Sequence, residues 1–299
     1  MIEAYFMHLL VLIGIYAILS ISLNLAMGFT GLLNIGHIAF YGIGAYASAL
    51  LALKLGLPFW LGLLIGGLIA AVFGILLAIP TIKLRGDYLA LATLGFAIIV
   101  ESVLRNWISL TNGPLGLAGI PKPSIFGFSF SSTFSYMLLV FVFAAITYLF
   151  IRYITRSPFG RVLKSIREDE LVAKSLGKNT IKFKTIALAI SAFFAGIAGS
   201  LYAHYITFID PSTFSILESI LIISMIIVGG LASVEGSIIG AIILLLLPEP
   251  LRFLPLPSYA IGALRQIIYA LLLILLLILR PSGFLGEFRF KRENGNAQS

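Results

Sequence analysis

Stretches of roughly 20 mostly apolar residues, each long enough to cross a ~30 Å hydrocarbon core as a helix, recur along this chain from end to end. In lipid every backbone N–H and C=O must be paired within the protein, so only helices and closed barrels can span. A barrel would show segments of about ten residues with alternating polarity; the blocks here are continuous. They fall near Tyr5–Ala26, Ile35–Leu53, Phe59–Ile79, Tyr88–Leu104, Phe134–Ile151, Thr185–Ile206, Ile216–Gly229, Ser237–Leu251 and Gly262–Leu279. Of 299 residues 60% are hydrophobic and only 11% charged, against about a quarter charged in a soluble domain. The expectation is an all-α polytopic membrane protein with about nine transmembrane helices. Eight or ten remain open, because the second, seventh and eighth blocks are short or rich in Gly.

Lys and Arg set the orientation. Nine of the twenty lie between Arg152 and Lys184, others follow Arg280 in the tail, and Lys83 and Arg85 flank a third gap. Even numbers of spans separate these regions, so all three are expected on the cytoplasmic side, with the loop Arg105–Thr133 and Met1 outside. The first block lacks a preceding basic residue and is longer than a signal-peptide core, so it reads as a retained helix. Residues 1–286 read as one transmembrane domain and 287–299 as a polar cytoplasmic tail.

Several chemistries are not encoded. Without cysteine there can be neither disulfides nor thiolate metal sites, and His8, His37 and His204 lack metal-ligand spacing. No phosphate-binding G-x-x-x-x-G-K-[ST] loop, nucleophile elbow or dinucleotide fingerprint occurs. The net charge of +8 sits mostly in the gaps between apolar blocks, so nucleic acid is not an expected partner; the bilayer is. Glu101, Glu218 and Glu235 lie near span ends. Glu101 is spaced to pair with Arg105 one helical turn on; an ion-driven carrier would want acids deep inside a span, which are missing, or a discontinuous helix that coordinates the ion.

Two segments carry most of the signal. NLAMGFTGLLNIGHIAFYGIGAYA (Asn24–Ala47) interleaves glycines with Asn24, Asn34, His37, Tyr41 and Tyr46. Glycine in a membrane helix permits close packing, or an unwound stretch lining a polar cavity, so both a packing and a transport role stand. A shorter similar run, GGLASVEGSIIGA, covers Gly229–Ala241. The second segment is SPFGRVLKSIREDELVAKSLGKN (Ser157–Asn179), expected as an amphipathic helix starting at Ser157–Pro158 and stopping at Gly177. Its apolar residues could enter a groove on another protein. Lipid headgroups are the alternative, disfavoured by Glu168, Asp169 and Glu170. The outer loop TNGPLGLAGIPKP (Thr111–Pro123) is turn-rich, suited to capping the outer mouth, meeting a partner or merely connecting.

Together with LRGDYLALATLGF (Leu84–Phe96), IDPSTFSILESILIISMIIVGG (Ile209–Gly230) and RPSGFLG (Arg280–Gly286), these segments resemble permeases of ABC importers for branched-chain amino acids, the LivM type, in order from about Ser22 to Gly286. The resemblance implies an ABC importer permease fold with a discontinuous Gly-rich helix, in the cell inner (cytoplasmic) membrane. It also implies two cytoplasmic ABC ATPase subunits, a second permease chain and an extracytoplasmic solute-binding protein, with no cofactor and no catalytic residue on this chain. Gly160, Arg161, Leu163, Ile166, Arg167, Glu168, Glu170, Leu171, Ala173, Leu176 and Gly177 match the family's ATPase-coupling segment. The translocation path is expected along Asn24, Gly28, Asn34, Gly36, His37, Tyr41, Gly44, Glu218, Gly229 and Gly230. The chain departs from the family at Gly236–Ser237, where Gly-Pro is common, so the local helix start is expected to differ. Related systems carry urea, short amides or aromatic acids. An ion-coupled secondary carrier is the alternative class, distinguishable by uptake that survives loss of an ATPase.

Overall fold

The computed structural model describes residues 2–84, 86–125, 128–249, 264, 267–268, 270–271 and 283–286. The ninth apolar block falls mostly, and the tail 287–299 wholly, outside the described residues. Among the described residues six helices are long and apolar enough to span: α1 (Ile2–Asn24, continued by a π-helical turn, Leu25–Phe29), α2 (His37–Leu55), α3 (Phe59–Thr81), α4 (Asp87–Asn106), α6 (Thr133–Arg156) and α9 (Thr180–Ile206). A one-turn α5 (Ile108–Thr111) lies in the loop after α4. Between α6 and α9 come α7 (Pro158–Glu168) and α8 (Glu170–Ser175); α10 (Ile216–Gly229) and α11 (Val234–Leu246) are apolar but short. These account for the first eight blocks.

Small residues set the centre of the bundle. A Cβ on Gly44 of α2 would lie 2.3 Å from Gly196 Cα of α9, and one on Gly196 would lie 2.7 Å from Ala70 Cβ of α3. With no side chain between them, these helices approach backbone to backbone, the arrangement by which dispersion holds helices together in lipid. The outer faces of α3 and α6 carry rows of exposed apolar residues at helical spacing: Leu64, Leu68, Val72 and Leu76 on one, Leu138, Val142, Ile146 and Leu149 on the other. In water such faces would drive aggregation; they suit an apolar surrounding such as hydrocarbon.

Both ends of the bundle are defined by contacts. At one end Arg167 of α7 reaches Gly28 of the π turn, while Leu84 and Gly86 share a cavity wall with Arg167 and Lys184. Phe284 N and Leu285 N donate there to Val228 O and Gly229 O, both at 2.9 Å. The basic segment, the Lys83 gap and the edge of the tail thus converge on one end, as their charge suggested. At the other end Leu117–Ala118 (β1) pairs antiparallel with Phe208–Ile209 (β4), and a small ribbon joins Ser124–Ile125 (β2) to Phe128–Ser129 (β3). His8 near the start of α1 bonds Tyr205 there at 2.8 Å.

The short α10 has a local cause. After α9 stops at Thr207, in the left-handed region (φ 62°), the chain turns back into the bundle. Phe214 is buried against the rings of Tyr41 and Tyr46, at 5.2 and 5.9 Å between centroids. Glu218, in the first turn of α10, accepts a 2.7 Å bond from Tyr16, midway along α1. The helix begins inside the bundle and needs only half its depth.

Candidate functional site: two paired helix breaks under a charged hairpin

The hairpin between α6 and α9 differs from the single amphipathic helix expected over Ser157–Gly177. The start is as expected: Ser157 caps, its Oγ accepting from Gly160 N at 3.4 Å, with Pro158 at the first helical position. At Asp169 the backbone is extended (φ −155°, ψ 108°) and the carboxylate accepts from Leu171 N and Val172 N at 2.8 and 3.1 Å. An acid that binds backbone amides two and three residues on ends one helix and caps the next, and this divides α7 from α8. Gly177, at φ 74°, ends the motif.

The break sorts the side chains. Leu163, Ile166 and Ala173 turn inward and are buried, whereas Leu171, Val172 and Leu176 are exposed. Gly160 is pressed against the preceding turn: a Cβ there would lie 2.3 Å from Thr155 O. Glu170 binds inward, its carboxylate accepting from Lys184 Nζ at 2.6 Å and Thr180 Oγ1 at 3.0 Å and pairing with Lys174 at 3.0 Å. Burial alone would raise its carboxyl, but hydrogen bonds from Lys184, Lys174 and Thr180 prevail and hold it at about 2. Arg161 points outward, and Glu168 is engaged with Arg167 at 2.6 Å.

Beneath the hairpin the chain is broken twice, and one side chain joins the breaks. α1 passes into the π turn and then an irregular stretch before His37; α10 stops at Gly229 and α11 starts after Ser233. Asn24, fully buried, donates through Nδ2 to Ser233 O (2.9 Å), Ser237 Oγ (2.7 Å) and Gly230 O (3.3 Å), and accepts through Oδ1 from Ala232 N (3.0 Å). Backbone groups freed by the second break are satisfied by an amide from the first. Gly28 makes room: a Cβ there would lie 1.8 Å from Asn24 Oδ1 and 2.5 Å from Ala232 N. On the facing side a Gly229 Cβ would strike Gly236 O at 1.8 Å, and Gly230 takes φ 118°. Ser237, at the position where the family often has Pro, keeps an N–H that bonds Ser233 O at 3.1 Å and a hydroxyl for Asn24. Its helix starts one turn before Ser237, capped by Ser233.

The other residues expected along a path lie in different settings. Gly36 and Gly44 are packing positions, a Cβ on Gly36 lying 2.2 Å from Thr93 O. Tyr41 and Glu218 come together with Tyr16, Tyr202 and Phe214 deeper in the bundle. His37 is buried with Nε2 on Ser22 at 3.0 Å. Among the described residues the Tyr41 and Tyr46 hydroxyls, Ser219 Oγ, His37 Nδ1 and both side-chain polar atoms of Asn34 are buried without a protein partner. Such atoms ask for water or a passing polar group. Glu101 is outside this group, paired with Arg105 at 2.7 Å as its spacing predicts. No group of acids and histidines arranged to hold a metal occurs among the described residues.

Ser22, Ser233, Tyr16 and Tyr202 escaped the sequence reading, and Ser237 was singled out only as a departure from the family pattern. Ser233 and Ser237 stand within the second Gly-rich run, where small polar residues beside glycines were the available signal. Tyr16 and Tyr202 sit in apolar helices that give no local cue.

Comparison with known proteins agrees with this architecture. Residues 5–277 match the family described as the branched-chain amino acid transport system / permease component. The chain is 39% identical to the high-affinity branched-chain amino acid transport system permease protein LivM of Escherichia coli, over 95% of this chain and 71% of the relative. It is 28% identical to the LivH permease protein of the same organism, covering 91% of each. It is also 28% identical to the nucleoside ABC transporter permease protein NupC of Lactococcus lactis, over 59% of this chain and 60% of the relative.

Proposed function

Because the chain belongs to the branched-chain amino acid permease family, we propose that it is the membrane subunit through which an ATP-driven importer passes branched-chain or other small amino acids. It is a transporter component rather than an enzyme. The observation that carries the reading is the hairpin Ser157–Asn179: exposed Leu171, Val172 and Leu176 above a rigid, ion-paired base resting on two helix breaks. An exposed apolar trio on a charged hairpin is a surface for another protein, and energy then arrives from separate ATPase chains. Residues 157–179 are the coupling segment in this scheme and 1–286 the permease domain, in the inner membrane.

LivM and LivH are both permease subunits of one named system, which favours a heterodimer of this chain with a related second permease. An extracytoplasmic binding protein would deliver the solute to the end that carries β1 and β4. The buried, unpartnered hydroxyls and amide of Tyr41, Tyr46, Ser219 and Asn34 offer weak polar company to a zwitterion without trapping it. A relative is named as a nucleoside permease, in keeping with a family whose solute varies; selectivity in this scheme belongs chiefly to the binding protein.

The test is uptake of radiolabelled leucine into proteoliposomes holding this chain with the second permease, both ATPases and the binding protein of its own system. Uptake is expected to require ATP inside and to persist when ion gradients are collapsed. Uptake without the ATPases that vanishes with an ionophore would overturn the proposal in favour of a secondary carrier.

A further inference from the structure

The hairpin is not merely near the helix breaks; one side chain is built into them. Arg167 lies at the end of α7 with its side chain only 10% exposed. Its Nη1 donates to Gly28 O at 2.8 Å, a carbonyl of the π turn that closes α1. Its Nε and Nη2 both donate to Glu168 Oε1, at 3.1 and 2.6 Å, so the guanidinium is held in plane and its reach is fixed. The other side of the contact is shaped to receive it. Gly31 has φ 76°, and a Cβ there would lie 3.1 Å from Arg167 Cγ. Gly28 itself touches Asn24 and Ala232, the pair that ties the first break to the second.

We propose that Arg167 is a positioning residue of the transport cycle: through Gly28 O and Asn24 it makes movement of the hairpin move both helix breaks together. The inference rests on the importer reading above and adds the linkage that turns a docked motor into a change in the membrane. A π turn is the fitting element to pull on, because its surplus residue lets a helix end shift register without unfolding. Asn24 then carries the displacement, since its four bonds leave Ser233 and Ala232 little freedom of their own. Leu163 and Ile166, buried on the same face of α7, keep the lever from rotating away.

The test uses the full complex in proteoliposomes with leucine as probe, comparing wild type, Arg167→Met and Arg167→Lys. Methionine keeps the apolar stem and removes every donor; lysine keeps the charge and one donor group. Co-purification of the subunits, ATP hydrolysis, and leucine imported per ATP are measured separately. For Arg167→Met, leucine imported per ATP hydrolysed by the assembled complex is expected to fall at least about fivefold, the scale of coupling between linked sites. Arg167→Lys is expected to recover most of that loss. An unchanged ratio in Arg167→Met, or assembly and hydrolysis falling in step with import, would overturn the linkage and leave Arg167 a packing residue. A wild-type complex with no ATP-driven uptake would instead overturn the importer reading, which separates the two failures.

Discussion

A glycine in this chain is read by what stands across from it. Gly44 and Gly95 both lie inside transmembrane helices, yet a Cβ on Gly44 would meet Gly196 at 2.3 Å whereas nothing lies within 4 Å of one on Gly95. Neither adopts a positive φ, so conformational freedom does not distinguish them. Gly44→Ala is therefore expected to force α2 from α9 and to cost about 1–3 kcal/mol, the usual range for overpacking. Gly95→Ala should be neutral. Thermal unfolding of the purified protein in detergent checks the pair, and equal melting temperatures would mean that α2 and α9 are not packed this closely. Ala173 teaches a related lesson. It is buried beneath the hairpin, so a bulky charge there reports on folding of the hairpin, whereas exposed Leu171 and Leu176 report on docking.

At the scale of an element, the hairpin is held by charge as well as by apolar contact. Glu170 ties α8 to the start of α9 through Lys184 and Thr180. Its carboxyl is depressed from the ordinary 4.5 to about 2. A depressed carboxyl binds fewer protons folded than unfolded, so its stabilisation is complete above about 4.5, declines as pH falls below that, and is lost on passing through about 2. Protease resistance of the hairpin in detergent should fall over that acid window in the wild type, while Glu170→Gln should be weaker at neutral pH and flat across it. A variant that kept the wild-type profile would place the titrating group elsewhere. The division of this segment into α7 and α8 was foreshadowed by Asp169, because an acid followed by free amides is a cap. The helical pattern on either side hid it. Leu163 and Ile166 lie one turn apart, but the steps of five to Leu171 and Leu176 drift off that face, and the bend leaves the first two buried and the last two exposed.

For the whole molecule, charge and contacts agree on two ends. The segment Arg152–Lys184 lies at one end and the loop Asn112–Ser131 at the other. Because the chain has no cysteine, single substitutions make clean labels: Ser175→Cys should react with an impermeant maleimide only from the cytoplasmic face, and Ser131→Cys only from outside. Reversal of the two would invert the topology and remove the hairpin from reach of any ATPase. What the amino-acid sequence by itself determined here was the class of solvent, the run of apolar helices, the clustering of basic residues, and the two Gly-rich stretches. Each of these is a local property, written in block length, charge and side-chain size. Partnership came from the packing of remote segments: Asn24 closes a break more than two hundred residues away, Gly28 O accepts from Arg167, and α10 starts inside the bundle because the chain before it folds inward. Hydrogen bonds and backbone contacts between remote segments depend on how helices are stacked, and in an all-apolar helix the periodicity that would reveal its inner face is faint.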